Sequence, residues 1–329
     1  MKEIKHITLS ILIIIGLALG IKLLSYSEDP ADAAKNDYQL TYKREYKIFS
    51  PPMPAKIDFC GESLPLDTFY VSEMLDREIL VNTYWHSNTL LLFKRAKRWF
   101  PIIEPILKEN NIPDDFKYLA LIESGLQNIT SPAGAKGFWQ LLEKTAKQYG
   151  LEVNKEVDER YNVEKATLAA CKYLQDAYQR FGNWTLAAAS YNMGMGGLNK
   201  RLNQQQANSY YDLLLNEETA RYIYRTLAIK AIFNNPSKYG FTLRERDLYP
   251  PLSVYTVEVD STVSSWVTFA QEHHINYKLL KELNPWLRTT SLTNSKRKTY
   301  QIKLPNNDMF EFQKTRSKMS DKIGVFGEK

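Results

Sequence analysis

Pro113-Asp-Asp-Phe-Lys-Tyr-Leu-Ala-Leu-Ile-Glu123-Ser124-Gly125 is the stretch on which the reading of this chain turns. Pro113 suits the first position of a helix, Asp114 and Asp115 suit its positive end, and Gly125 supplies the stop. Phe116, Leu119, Ala120 and Glu123 then share one stripe, because residues three, four and seven apart lie on the same helical face. The spacing therefore predicts a carboxylate turned toward the apolar side, in the last turn near the negative helix end. Desolvation and the helix dipole both disfavour its charge and both raise its pKa. An acid that keeps its proton near neutral pH can deliver it to a leaving oxygen. The alternative is a misphased stripe that leaves Glu123 in solvent.

Around this stretch, 329 residues with 44% hydrophobic content are enough for a sizeable core and more than one domain. The net charge of +6 is mild and dispersed, with local basic excess at Lys296, Arg297 and Lys298 and at Lys314, Arg316 and Lys318. No basic stripe interleaves with aromatics, so the composition does not point to nucleic acid. His6, His86, His273 and His274 form no ligand set with any acidic spacing, and no metal or cofactor is expected. Cys60 and Cys171 make no disulfide framework. An oxidising compartment would permit their pairing, while Cys171 within the pattern Ala166, Ala169, Ala170, Tyr173, Leu174 reads as a small buried core thiol.

Lys2 and Lys5 precede a run from Ile7 to Leu24 that is apolar except for Thr8, Ser10 and Lys22. This reads as an export signal, and the bulky Ile21–Leu24 stretch favours an uncleaved membrane anchor over residues 1–24 rather than a cleaved peptide. The positive-inside rule then places everything after Ser25 outside the cytoplasm. Residues 25–55, ending in Pro51, Pro52 and Pro54, read as a linker. From residue 56 to 250 the patterns are helical nearly throughout. Asn162 caps a helix that runs to Phe181 and stops at Gly182, Asn183 caps the next from Trp184 to Tyr191, and Glu217 to Phe233 forms a later one. Pro250 and Pro251 break the chain. Residues 251–306 then read strand (Val254–Val259), helix (around Ser264–His273), helix (Tyr277–Leu283) and strand (around Thr299–Leu304), followed by a basic tail over 307–329.

Three ordered motifs carry a resemblance: Ala120-Leu-Ile-Glu-Ser-Gly125, Gly137-Phe-Trp-Gln140 and Ala189-Ser-Tyr-Asn-Met-Gly194. In order and spacing they resemble soluble-lytic-transglycosylase-like domains. The flanking segments, with Pro113, Asp158, Arg160, Glu218-Thr219 and Tyr222, are similar to the branch of membrane-bound lytic murein transglycosylases D. The resemblance implies a mainly α protein: a lysozyme-like all-helical catalytic domain followed by a small α+β module. It also implies cleavage of the β-1,4 bond between N-acetylmuramic acid and N-acetylglucosamine in peptidoglycan. Glu123 would act first as acid and then as base toward the muramyl C6 hydroxyl, closing a 1,6-anhydro ring with help from the substrate's N-acetyl group. Ser124, Gln140, Tyr191, Asn192 and Tyr222 would be the substrate-binding set, with the hydroxyl of Tyr191 close enough to Glu123 to tune it. Gly134 and Gly137 would let the backbone approach a sugar.

Residues 251–306 resemble a LysM module of βααβ fold, through Tyr255-Thr-Val257, Leu283-Asn-Pro285 and Ile302-Lys-Leu-Pro305. Asp260-Ser-Thr262 stands where that family usually has Gly-Asp-Thr, and the Arg288–Lys298 segment is longer than usual. Such a module would hold N-acetylglucosamine-containing strands and raise their concentration at the cleft. The expected partners are peptidoglycan strands and, through the N-terminal segment, a membrane. The expected state is a monomer on the periplasmic side of a bacterial envelope. Two alternatives stay open. A goose-lysozyme-like hydrolase would need a second carboxylate, for which Glu143, Asp158 and Glu159 are candidates. A non-catalytic peptidoglycan-binding protein would need none.

Overall fold

The computed structural model describes residues 13–22, 30–324 and 326. Of the expected membrane-anchoring run, residues 13–22 are described and helical and the rest lies outside the described residues; among those that are described no helix is long and apolar enough to cross a membrane. The chain divides into two compact units, residues 1–50 and 51–329. The first contains a helix, α1 (Pro30–Glu45), inside what the sequence suggested was an unstructured linker. Its composition explains it: Pro30 stands at the first helical position, Ala, Lys and Gln favour the interior, and Lys43 and Arg44 meet the negative end.

The second unit opens with two short antiparallel strands, β1 (Asp58–Phe59) and β2 (Glu62–Ser63), turned through Cys60 and Gly61. Helices follow: α2 (Phe69–Tyr84), α3 (His86–Glu109), α4 (Lys117–Ser124), α5 (Glu143–Gln148), α6 (Val163–Phe181), α7 (Trp184–Met193), α8 (Met195–Gln205) and α9 (Glu217–Asn234). The caps are those the sequence announces. Asn162 Oδ1 accepts from the Lys165 amide at 3.0 Å and Asn183 Oδ1 from that of Leu186 at 2.7 Å. Gly182 closes α6 at φ 75°. The helix α7 runs two residues beyond its expected end at Tyr191, because Gly194 at φ 78° is what stops it.

Around α4 the other helices form a nest. α2 lies along α9, α3 packs on α6 and α4, and α9 also touches α4. Tyr118, Leu119, Ala120, Leu121 and Ser124 are all buried, so α4 is enclosed on nearly every side. The expected single helix from Pro113 is in fact a 3-10 turn over Asp114–Phe116 that hands over to α4. Gly125 ends it in the left-handed region at φ 60°, ψ 29°. Both cysteines are free, and Cys171 sits fully buried in the core.

Past Pro250 the chain forms β3 (Val254–Val259), α10 (Trp266–Glu272), α11 (Tyr277–Leu283) and β4 (Tyr300–Pro305), with β3 and β4 paired antiparallel from Val254↔Pro305 to Val259↔Tyr300. Val157 and Tyr161, from the helical part, complete the apolar core of this βααβ module. Val157 bridges Leu287 as a strand residue would. The Asp158 amide donates to the Trp286 carbonyl at 2.9 Å and the Arg288 amide to the Glu156 carbonyl at 2.8 Å. Three carboxylates ring the seam: Glu152 takes Lys298 and Tyr300, Glu156 takes Thr293, and Glu164 takes Lys303. Partly exposed pairs of this kind contribute at most about 1 kcal/mol each, so the shared apolar core does most of the holding.

The tail does not leave the body. A short helix, α12 (Phe312–Ser317), precedes a return to residues 244–247, where Arg246 grips Asp321 at 2.8 Å. Phe326 then packs against Phe93 and Phe233, with ring centroids 5.2 and 5.5 Å apart.

Candidate active site

Glu123, one residue before the end of α4, lines a cavity of about 300 Å³. The other walls come from α2 (Glu78, Val81, Asn82), from Trp85, from α3 (Asn88, Leu92, Arg95) and from α9 (Arg221, Arg225, Ile229). The stripe is phased as the spacing predicts: Phe116, Leu119 and Ala120 are fully buried, and Glu123 comes out where the apolar surface meets the cavity.

Burial pushes the Glu123 carboxyl up from 4.5 to about 7. The hydrogen bond from Tyr222 and the charge of Arg225 pull the other way, and the charge of Glu218 adds to the rise. Desolvation outweighs the two opposing groups because no cation closes on the carboxylate. The Tyr222 hydroxyl donates to Oε1 at 2.5 Å, while the Arg225 guanidinium donates to the Ile122 carbonyl at 3.1 Å. The acid is thus poised between protonated and charged forms near neutrality, which a group that must both give and take a proton requires.

The second carboxylate of the cavity has the opposite setting. Glu78 is 1% exposed, yet Arg221 reaches it at 2.7 Å and Arg77 at 2.5 Å. The Arg221–Glu78 pair joins α9 to α2, and Arg221 also holds Glu217 of its own helix at 3.1 Å.

The other residues singled out by sequence fall differently from what the resemblance implies. Tyr222, expected in the substrate-binding set, is buried, and its hydroxyl is the one that bonds the acid. The Tyr191 hydroxyl donates instead to the Trp139 carbonyl at 2.7 Å, although its phenol is pushed well up by burial and by the nearby charge of Glu123. Ser124 turns away from Glu123: its hydroxyl lies 2.9 Å from the Phe138 carbonyl and 3.2 Å from that of Ala120, tying α4 to the Gly137–Gln140 turn. Gln140, at φ 45°, bonds the carbonyls of Gly137 at 2.8 Å and Ile129 at 3.2 Å. Asn192 accepts from the Thr219 hydroxyl at 2.8 Å and lies 3.4 Å from Glu218. Gln140, Tyr191 and Asn192 do not line the Glu123 cavity.

Gly137 is required by protein packing. A Cβ there would stand 1.9 Å from the Arg160 carbonyl oxygen, so this glycine lets backbone approach backbone rather than a sugar. The carboxylates considered for a hydrolase lie elsewhere. Burial alone would raise Asp158, but two hydrogen bonds of 2.8 Å from Arg160 hold it below the usual range. Glu159 accepts from the Glu152 amide at 2.7 Å, and Glu143 pairs with Lys147 on the surface. None of the three lines the cavity. Sequence reasoning did not single out Glu78, Arg221 or Arg225. No local signal marks them, since both helices carry several other charged residues.

Comparison with known proteins agrees with these motifs. Residues 100–214 match the transglycosylase SLT domain, and residues 255–308 match the soluble lytic transglycosylase C-terminal LysM-like domain. The chain is 30% identical over 198 residues to membrane-bound lytic murein transglycosylase D of Escherichia coli (strain K12), a match that covers 57% of this chain and 43% of that protein. The chain thus spans less than half the length of this curated relative. A putative tributyltin chloride resistance protein of Alteromonas sp. (strain M-1) is 31% identical over 104 residues, covering 31% of this chain and 50% of its own. Among solved structures, the 70 kDa soluble lytic transglycosylase of Escherichia coli aligns with a TM-score of 0.35 and 23% identity, over 43% of this chain and 24% of that one.

Proposed function

We propose that this chain, which carries an SLT transglycosylase domain followed by a LysM-like domain, is a peptidoglycan lytic transglycosylase with Glu123 as its single acid and base. The observation that carries the reading is a carboxyl raised to about 7, hydrogen-bonded by a phenol and closed upon by no cation. In the protonated form Glu123 gives its proton to the glycosidic oxygen as the bond from the muramyl C1 breaks. The resulting carboxylate takes the proton of the C6 hydroxyl as O6 bonds to C1. The products are a 1,6-anhydromuramyl end and a free 4-hydroxyl on N-acetylglucosamine, with no water consumed. The substrate's N-acetyl group stabilises C1 between the two steps, as in the substrate-assisted exceptions to two-carboxylate glycoside cleavage.

The state of Glu78 supports this reading over hydrolysis. Of the carboxylates lining the cavity, it alone is in a position to serve as a base for water, and two arginines already hold it. Ser124 lines the cavity beside Glu123, and Gln140, Tyr191 and Asn192 would support that site from outside it. Ser124 and Gln140 fix the Gly137–Gln140 turn, Tyr191 ties that turn to α7 through the Trp139 carbonyl, and Asn192 lies beside Glu218. Action on peptidoglycan places the chain in the bacterial cell envelope, where the apolar N-terminal run would tether it to the membrane.

Mass spectrometry of the fragments released from purified sacculi tests the proposal. Anhydromuramyl ends with the wild-type chain, and none with Glu123→Gln, are expected. Reducing muramyl ends would make the enzyme a hydrolase instead, and a wild-type chain that binds sacculi without cutting them would make it a binding protein.

A further inference from the structure

Trp85 is a large aromatic side chain that the fold leaves uncovered. The chain has six tryptophans, and Trp85, 59% exposed, is alone among them in the open while the rest are buried or half-buried. It is the single residue between α2 and α3, at φ −84° and ψ 55°. The break is built, since the Trp85 amide donates to the Val81 carbonyl at 2.9 Å and its own carbonyl accepts from the Thr89 amide at 3.1 Å. The Thr89 hydroxyl in turn closes on the Asn82 carbonyl at 2.6 Å. A held backbone thus presents an exposed indole to the cavity that contains Glu123. Two amides, Asn82 and Asn88, line the same wall, and Val81 extends its apolar surface. Asn82 donates to the Glu78 carbonyl at 2.8 Å and keeps its side-chain oxygen as an acceptor.

An aromatic face flanked by amides at the mouth of a cleft matches one ligand chemistry well. The axial C–H groups of a β-linked hexosamine form an apolar face that stacks on a ring, and its acetamido and hydroxyl groups meet amides at the edge. We propose that Trp85 is a saccharide platform, on which a β-1,4-linked N-acetylhexosamine next to the bond cut by Glu123 stacks while Asn82 and Asn88 hydrogen-bond its polar groups. This inference rests on the reading of the chain as a glycan-cleaving enzyme. It assigns Trp85 a positioning and specificity role and no part in proton transfer.

The test uses the full chain carrying Glu123→Gln, titrated with N-acetylchitotetraose while tryptophan emission is followed. A saturable change in emission is expected. Trp85→Phe, which keeps an aromatic face, should abolish the change while calorimetry still finds nearly the same affinity. Trp85→Ala should weaken binding about tenfold. In the chain with Glu123 intact, Trp85→Ala should raise KM on glycan strands by a similar factor and leave kcat within about twofold, because the platform binds ground and transition states alike. An emission change that survives Trp85→Phe, or equal affinity in Trp85→Ala, would overturn the proposal. Absence of cleavage by the wild-type chain would count against the enzymatic reading alone, since the binding titration still reports on Trp85.

Discussion

The two sides of the Glu123 cavity treat a carboxylate in opposite ways. On the α2 side, Glu78 is almost wholly removed from water and meets two guanidinium groups, one of which also holds Glu217. On the α4 side, Glu123 meets a neutral phenol, and the nearest guanidinium donates to a backbone carbonyl. The first arrangement fixes a charge and joins two helices. The second leaves the charge optional. Burial without a countercharge, rather than burial alone, distinguishes a residue equipped to move a proton from one that holds the fold together.

That contrast can be pressed by substitution. The largest effect on stability should come from Glu123→Gln. With its carboxyl raised from 4.5 to about 7, the folded chain keeps a proton that the unfolded chain has already released between these pH values. Wild-type stability therefore falls as pH rises through this window and levels off above it. Glu123→Gln should be more stable than wild type by up to ~3 kcal/mol at pH 8 and by little at pH 4, read from urea midpoints. Equal stability at both pH values would mean that the carboxyl is not perturbed. Next, Arg221→Met removes the principal partner of Glu78, which only Arg77 then compensates. A loss on the order of 2 kcal/mol is expected, less than a fully buried broken pair would cost because Arg221 is 25% exposed. A neutral outcome would show that Arg77 alone suffices. The smallest effect belongs to Tyr222→Phe. The lost hydrogen bond favoured the carboxylate, so the pKa of Glu123 should rise and the alkaline limb of the pH–rate profile should move upward by roughly half to one pH unit. A limb displaced toward lower pH would reverse the role assigned to Tyr222.

Much of this contrast was hidden in the sequence, for a physical reason. Helix starts and stops are local, so Asn162, Gly182, Asn183 and Gly125 announced themselves, and the period of Phe116, Leu119 and Ala120 placed Glu123 on the right face. The two strands and two helices after Pro250 were legible for the same reason. The partner of Glu123 was not, because Tyr222 stands 99 residues further along the chain and nothing in local spacing distinguishes its phenol from that of Tyr191. The packing role of Gly137 also depends on a contact across the fold, with Arg160. The helix at Pro30–Glu45 was missed because a polar stretch without an apolar period looks like a linker even when its residues favour helix.

Val157 and Tyr161 belong by chain order to the helical part and by packing to the module beyond Pro250. Peeling the module away would wet both, together with Trp286 and Leu287. The module has no complete interior without these two residues of the helical part. Heat should therefore melt the pair in a single calorimetric endotherm, and a fragment truncated near Pro250 would carry a raw apolar scar and a strong tendency to aggregate.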